Sequence, residues 1–120
     1  MSETLPQKER LRKRAEFLAV QGRGKKHHTE RFLVFVLPRR PVPQGEPRAP
    51  SRIGVTVSKK VGGAVVRNRV KRLLREAFRR RKTLFPIGLD IVFIAKQTAQ
   101  KSELADVLRE LERLCSKLRS

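Results

Sequence analysis

Between Ser58 and Lys82 the chain reads SKKVGGAVVRNRVKRLLREAFRRRK, with eleven Lys and Arg against one acid, Glu76. Guanidinium and ammonium groups at this density suit phosphate binding through charge-assisted hydrogen bonds. Each like-charged i,i+4 pair costs a helix only about 0.2–0.5 kcal/mol, but here many such pairs accumulate. With Val66 at zero and about 100° per residue, Val66, Val70, Leu73, Leu74, Ala77 and Phe78 fall within roughly 140° of arc. Asn68, Arg72, Arg75 and Arg79 lie opposite, with Arg69 and Arg80 at one margin and Arg67 and Lys71 at the other. A merely solvated face normally mixes both signs. This one requires an external polyanion. The preceding Gly62 and Gly63 place permissive backbone at a helix N-terminus, where free N–H groups can meet phosphate.

Cleavage chemistry needs a different inventory. A self-sufficient nuclease would group carboxylates around metal ions, or set a general base beside a nucleophile. The only aspartates are Asp90 and Asp106, and most glutamates lie near either end among Lys and Arg. His27 and His28 are adjacent, so on a strand they would point in opposite directions; they read as incidental. Cys115 is the only cysteine, which excludes an intrachain disulfide and a Cys-based zinc site. It lies on the apolar side of a helical pattern and reads as a small buried hydrophobe. No catalytic residue and no metal ligand is assigned.

The bulk numbers agree. A chain of 120 residues holds one domain, and a net charge of +19 points to nucleic acid. An anionic membrane is the other match for such charge, but it would favour boundary aromatics, and the chain has no Trp or Tyr. No apolar run approaches the ~20 residues that span a bilayer, and "MSETLPQKERLRKR" has charge where a signal peptide is apolar. A cytoplasmic protein is expected, with no membrane and no small-molecule substrate.

The elements that must carry the strip follow from periodicity. Residues 7–21 read as a helix with a narrow stripe at Leu11, Ala15 and Leu18, and Gly22 and Gly24 beyond its end. "RFLVFVL" at 31–37, "RIGVTVS" from Arg52, with Ile53, Val55 and Val57 on one face, and "GLDIVFIAK" at 88–96 read as strands. A short strand within 27–31 is also considered. Five of the seven prolines fall in 38–50, which must be a loop. Ser102 is expected to cap a last helix, with Glu103 in its first turn, Lys117 and Arg119 in its last, and a stripe at Leu104, Val107, Leu108, Leu111, Leu114 and Leu118. The expectation is a single α/β domain over 1–120, with its core at about 8–118. Helices pack on a small central sheet in the order α-β-β(-β)-α-β-α.

The block "SKKVGGAVVRNRVKRLLREAFR" resembles the signature of the protein subunit of bacterial ribonuclease P, with Arg67-Asn68-Arg69 standing as its "RNR" triplet. A basic N-terminal helix bearing "EF", "FLVFVL", "RIGVTVSKK" and "DIVFIAK" follow the family's order, so the likeness spans about residues 8–115. It implies an α/β sandwich with a left-handed β-α-β crossover, where general rules favour the right-handed form. It also implies a ribonucleoprotein in which a catalytic RNA, using Mg2+ held mainly by that RNA, removes the 5′ leader of precursor tRNA. The protein is then the non-catalytic component of an endoribonuclease. Lys59, Lys60, Arg67, Asn68, Arg69, Lys71, Arg72, Arg75 and Arg79 are the expected contacts to the RNA subunit.

The resemblance also implies a cleft for the 5′ leader between the first helix and the sheet. On the helical reading of 7–21, Arg10, Arg14, Phe17 and Gln21 share one side. With Lys13, and with Phe35 of the neighbouring strand if its ring faces the cleft, which alternation does not decide, they form the expected leader site, where bases stack on rings and cations meet phosphates; the alternative is that Phe17 merely packs on the sheet. Many family members carry a second aromatic one turn on, where this chain has Gln21. Two other readings compete: a general RNA-binding or ribosomal-type protein with no role in tRNA processing, and a nuclease acting without RNA.

Overall fold

The computed structural model describes residues 5–39, 44–45 and 49–119. Residues 40–43 and 46–48, most of the proline-rich stretch 38–50, lie outside the described residues. Three helices and four strands follow one another as α1 (Arg14–Arg23), β1 (Lys25–His28), β2 (Phe32–Pro38), β3 (Arg52–Thr56), α2 (Ala64–Arg81), β4 (Leu89–Ala95) and α3 (Leu104–Arg119). The strands make one open sheet in the order β1-β2-β4-β3. β2 is antiparallel to β1 and β4, whereas β3 runs parallel to β4. The β3–α2–β4 segment is therefore a parallel β-α-β unit with the basic helix as its crossover.

Alternation along the strands sorts the chain into layers. Phe32, Val34 and Val36 of β2, Ile53 and Val55 of β3, and Ile91, Phe93 and Ala95 of β4 face α2 and α3 and form the larger core. Phe32 and Phe93 meet edge to face at 5.7 Å. The other sheet face carries Phe35, Leu37, Val92 and Ile94, which pack with Leu11, Phe17 and Val20. Val107, Leu111 and Leu114 of α3 are buried and Leu104, Leu108 and Leu118 pack around them, as periodicity requires.

Four local expectations are corrected. The first helix begins at Arg14 instead of near residue 7: Gln7–Glu9 form a single 3-10 turn and Arg10 is extended. Arg10 pairs with Ile53 in a parallel bridge, and the Leu11 N–H donates to the Ile53 carbonyl at 2.7 Å. This covers the open edge of β3, satisfying ladder groups that a helix would leave unpaired. The expected stripe dissolves accordingly. Leu11 is buried from the extended segment, Leu18 is exposed, and Val20 takes the buried position on α1.

The helix also runs through Gly22, and Gly24 is its C-cap. A Cβ at Gly24 would stand 2.4 Å from the Val20 carbonyl oxygen. The short strand is Lys25–His28 rather than a part of 27–31, because Thr29 turns the chain. The Thr29 hydroxyl accepts from the Phe32 N–H at 3.0 Å. Finally, Ser102 does not cap α3. Glu103 holds the cap position, its carbonyl accepting from Val107, while Asp106 Oδ2 accepts the Glu103 N–H at 2.9 Å. The Ser102 hydroxyl is buried without a protein partner among the described residues.

Candidate nucleic-acid interface

Helix α2 opens at Gly63, whose carbonyl accepts from the Arg67 N–H at 2.9 Å. Gly62 is needed for close approach, since a Cβ there would stand 2.8 Å from a Val66 methyl. Val70, Leu74, Ala77 and Phe78 are buried along the underside, and Phe78 packs on Phe85 with ring centroids 5.1 Å apart. Fully burying one large apolar side chain contributes about 1.5–3 kcal/mol, several times the cost of one like-charged pair. The apolar underside thus holds the cationic ridge in helical form.

Compensation along the ridge is uneven. Glu76 accepts from Arg79 at 2.6 Å and from Arg80 at 2.7 Å, Arg81 reaches Glu112 of α3 at 3.1 Å, and Lys82 reaches Glu9 at 3.0 Å. The hydrogen bonds from Arg79 and Arg80 hold the Glu76 carboxyl at about 2. The sequence suggested Glu76 as the sole counter-charge, but the fold adds Glu9, Glu103 and Glu112. Arg69 has only a loose 3.6 Å contact with the exposed Glu103, a pairing of little energetic weight.

Arg67, Lys71, Arg72 and Arg75 have no acidic partner within ion-pair distance among the described residues. The Nε atoms of Arg67 and Arg10 are buried with no protein acceptor among those residues. Burial, and then the charge of Arg10, push the Arg75 guanidinium below its ordinary pKa. Arg10 pairs in register with Ile53, which faces the α2 layer, while Leu11 faces Phe17, so Arg10 lies on the α2 side of the sheet, correcting the side assigned to it on a helical wheel. Once residues 10–13 are extended, the 3.6-residue period that grouped Arg10 with Phe17 no longer applies. Lys59 and Lys60 are exposed in the turn before α2, and Asn68 is exposed on its first turns. The fold thus sets the RNR triplet, Lys71, Arg72 and Arg75 along α2, with Arg10 on the same side of the sheet and Arg79 at the compensated end.

A second surface lies across the sheet. Phe17 sits directly over Gly54, where a Cβ would stand 2.5 Å from ring atoms Cε1 and Cζ. Phe35 pairs in register with Val92, which pairs with Gly54, so all three face α1. The two phenylalanines therefore share a sheet face, a point that strand alternation alone left open. Gln21, one turn after Phe17, is half-buried, and Lys13 and Arg14 at the start of α1 are exposed. Sequence reasoning missed Lys26. Its ammonium lies 5.9 Å from the centroid of the Phe35 ring, a cation–π position. Only the register Lys26↔Phe35 of an edge strand that could not be placed from sequence reveals it.

No three His, Cys, Asp or Glu residues among the described ones converge into a set that could hold a metal ion. Asp90 and Glu16 are bound to Arg52, and Glu110 to Arg31, in partly shielded ion pairs. Cys115 is buried, and burial pushes its thiol up to about 12. His27 is lowered by burial and by the charges of Lys25 and Lys117, so it remains neutral and takes no visible part in either surface.

A sheet flanked by helices, with an unevenly compensated cationic helix on one face and Phe17 and Phe35 on the other, defines a small α/β protein presenting positive charge. The family model "Ribonuclease P" matches residues 5–119. The ribonuclease P protein component of Desulfovibrio desulfuricans is 51% identical over 100 residues, covering 83% of this chain and 73% of that protein. The component from Syntrophus aciditrophicus is 43% identical over 114 residues, covering 95% and 90%. Among solved structures, the RNase P protein of Thermotoga maritima has a TM-score of 0.76 at 34% identity, covering 93% of this chain and 99% of its own. That of Staphylococcus aureus, at 2.0 angstrom, has a TM-score of 0.74 at 29% identity, covering 93% and 98%. The chain belongs to the ribonuclease P protein family. Its function is that of the protein subunit of this endoribonuclease, with an RNA partner in the complex.

Proposed function

We propose that the two surfaces divide the work of the subunit: the α2 ridge grips the catalytic RNA, and the face between α1 and the sheet receives the 5′ leader of precursor tRNA. The observation that carries the first assignment is the run of Arg67, Lys71, Arg72 and Arg75 without acidic partners, among the described residues, on a helix whose underside is buried. Phosphates supply the missing counter-charge, and counterion release makes docking favourable. Lys59, Lys60, Asn68, Arg69 and Arg79 extend that contact, and Arg10 joins it rather than the leader site. The second assignment rests on Phe17 and Phe35 sharing one face with Lys26 beside them. Rings and cations together suit single-stranded RNA. Lys13, Arg14 and Gln21 line its approach.

Magnesium is assigned to the RNA, as the family likeness implies; most of the described carboxylates are engaged in ion pairs. The protein acts by binding and orienting, and holds no catalytic group. A cytoplasmic location goes with that partner. Among the described residues no helix is long and apolar enough to cross a membrane.

Reconstitution tests the reading. Purified protein should show no cleavage alone, and should raise cleavage of precursor tRNA by an added ribonuclease P RNA at low magnesium. Cleavage by RNA-free protein, or no gain with the RNA, would sink it.

A further inference from the structure

Helix α1 is thinly attached to the sheet. Val20 is its only buried residue among those described, Leu18 faces solvent, and Phe17 is half-buried. Close packing fixes geometry only where side chains interdigitate, and on α1 that is chiefly at Val20 and where the Phe17 ring meets Gly54. Polar contacts supply the rest. The Arg52 guanidinium, on β3, donates from Nε and Nη2 to the two carboxylate oxygens of Asp90 on β4, at 2.9 and 2.8 Å. Its remaining Nη1 donates to Glu16 Oε2 at 2.7 Å. Glu16 Oε1 in turn accepts the backbone N–H groups of Lys13 at 3.2 Å and Arg12 at 3.4 Å, at the start of α1. All three side chains are partly shielded from water, with relative exposures of 21% for Arg52, 28% for Glu16 and 12% for Asp90. A planar fork held at both ends by short, charge-assisted bonds is a rigid strut.

Burial alone would raise the Glu16 carboxyl, but the Lys13 N–H, the Arg52 charge and the Arg12 N–H outweigh it and hold it below the usual range. The strut therefore stays ionised at neutral pH. Its position along the chain matters more. Glu16 immediately precedes Phe17, and Arg52 is two residues from Gly54, on which the Phe17 ring rests. The link that fixes α1 to the sheet thus ends beside the aromatic residue at the cleft.

We infer that Arg52 is a positioning residue for the leader: through Glu16 it sets where α1 lies over the sheet, and so holds Phe17 on the sheet face it shares with Phe35. This rests on the leader reading proposed above, but concerns residues that touch no RNA in it. Arg39 approaches the same Asp90 at 3.7 Å and completes the anchoring on the strand side. Arg52 lies on the α1 side of the sheet, across from the α2 ridge, so its removal leaves the grip on the catalytic RNA in place.

A double-mutant cycle between Arg52→Ala and Phe17→Ala tests this. The holoenzyme is reconstituted, and its affinity is measured for precursor tRNA and for the same tRNA without a leader; affinity for the catalytic RNA and the melting temperature are measured alongside. Arg52→Ala is expected to lower the preference for precursor by about twofold or more, the lower range for coupled neighbours. Binding to the catalytic RNA should be unchanged. On the Phe17→Ala background, Arg52→Ala should cost nothing further, because it acts through that ring; additive effects overturn the proposal.

If Phe17→Ala lowers the preference and Arg52→Ala does not, the proposal fails and the leader reading stands. If Phe17→Ala itself leaves the preference intact, the leader reading fails first. Should Arg52→Ala not fold, Glu16→Ala decides in the same cycle, since it cuts the strut at α1 while the Arg52–Asp90 pair remains. It should lower the preference to the same extent, and an unaltered preference overturns the inference.

Discussion

Phe17 and Gly54 are fitted to one another: the ring lies where a side chain on β3 would begin, with Cε1 and Cζ 2.5 Å from the position of a Cβ. Both belong to the face on which α1 packs. Gly54→Ala must therefore push the ring away from the sheet. Overpacking of this kind costs about 1–3 kcal/mol. Thermal or urea unfolding should show that destabilisation, and precursor binding should weaken relative to mature tRNA. Gly54→Ala in a Phe17→Ala background should recover most of the stability, because the clash is then gone.

The uneven compensation of α2 makes a second expectation. Arg67→Ala and Arg75→Ala should each lower the log–log salt slope of binding to the catalytic RNA, by about 0.7–0.9 for every phosphate that is no longer neutralised. Arg80→Ala should change the slope less, since Arg80 already spends its charge on Glu76. Equal slopes for all three variants would show that pairing within the protein does not decide which arginines meet RNA.

Glu76 gives the acid limb of stability. Hydrogen bonds from Arg79 and Arg80 lower its pKa from 4.5 to about 2 in the folded chain. A depressed carboxyl contributes stability that is fully present above its unfolded value and is lost as pH falls towards the folded one. Between about pH 4.5 and 2 the folded chain should therefore lose this contribution, modestly, because the group is partly exposed. Glu76→Gln should be less stable than the parent above that window and converge with it below, as followed by urea unfolding across the range.

Cys115 should behave as packing and not as a reactive thiol. With burial pushing it up to about 12, almost no thiolate forms at mildly alkaline pH, and only the thiolate attacks. A disulfide exchange reagent should label the native protein very slowly and the urea-unfolded chain at once. Rapid native labelling would place this stretch of α3 away from the core.

The basic helix and the stripe of α3 were legible because each carries its own period, one face being decided by residues three or four apart along the chain, whereas β2 was legible as a short, nearly continuous apolar run. The ridge-and-underside division of α2 needed no partner element to be seen. Residues 7–13 show the opposite case. Their helical pattern is genuine, but the open edge of β3 offered backbone partners that local periodicity does not register, so Gln7–Glu9 form only a single 3-10 turn, the chain from Arg10 runs extended, and Arg10 moved to the α2 side. Lys26 was invisible for the same reason, since a cation meets Phe35 only across a strand pairing.

Charge, the cationic helix and the family likeness could thus all be read from the linear chain, since composition and short-range spacing carry them. Which arginines lack carboxylate partners, which sheet face Phe35 joins, and how Glu16, Arg52 and Asp90 tie α1 to the sheet emerged only once the chain was folded. Those features depend on register and on contacts between residues far apart in the chain, where ion pairing and close packing act through space.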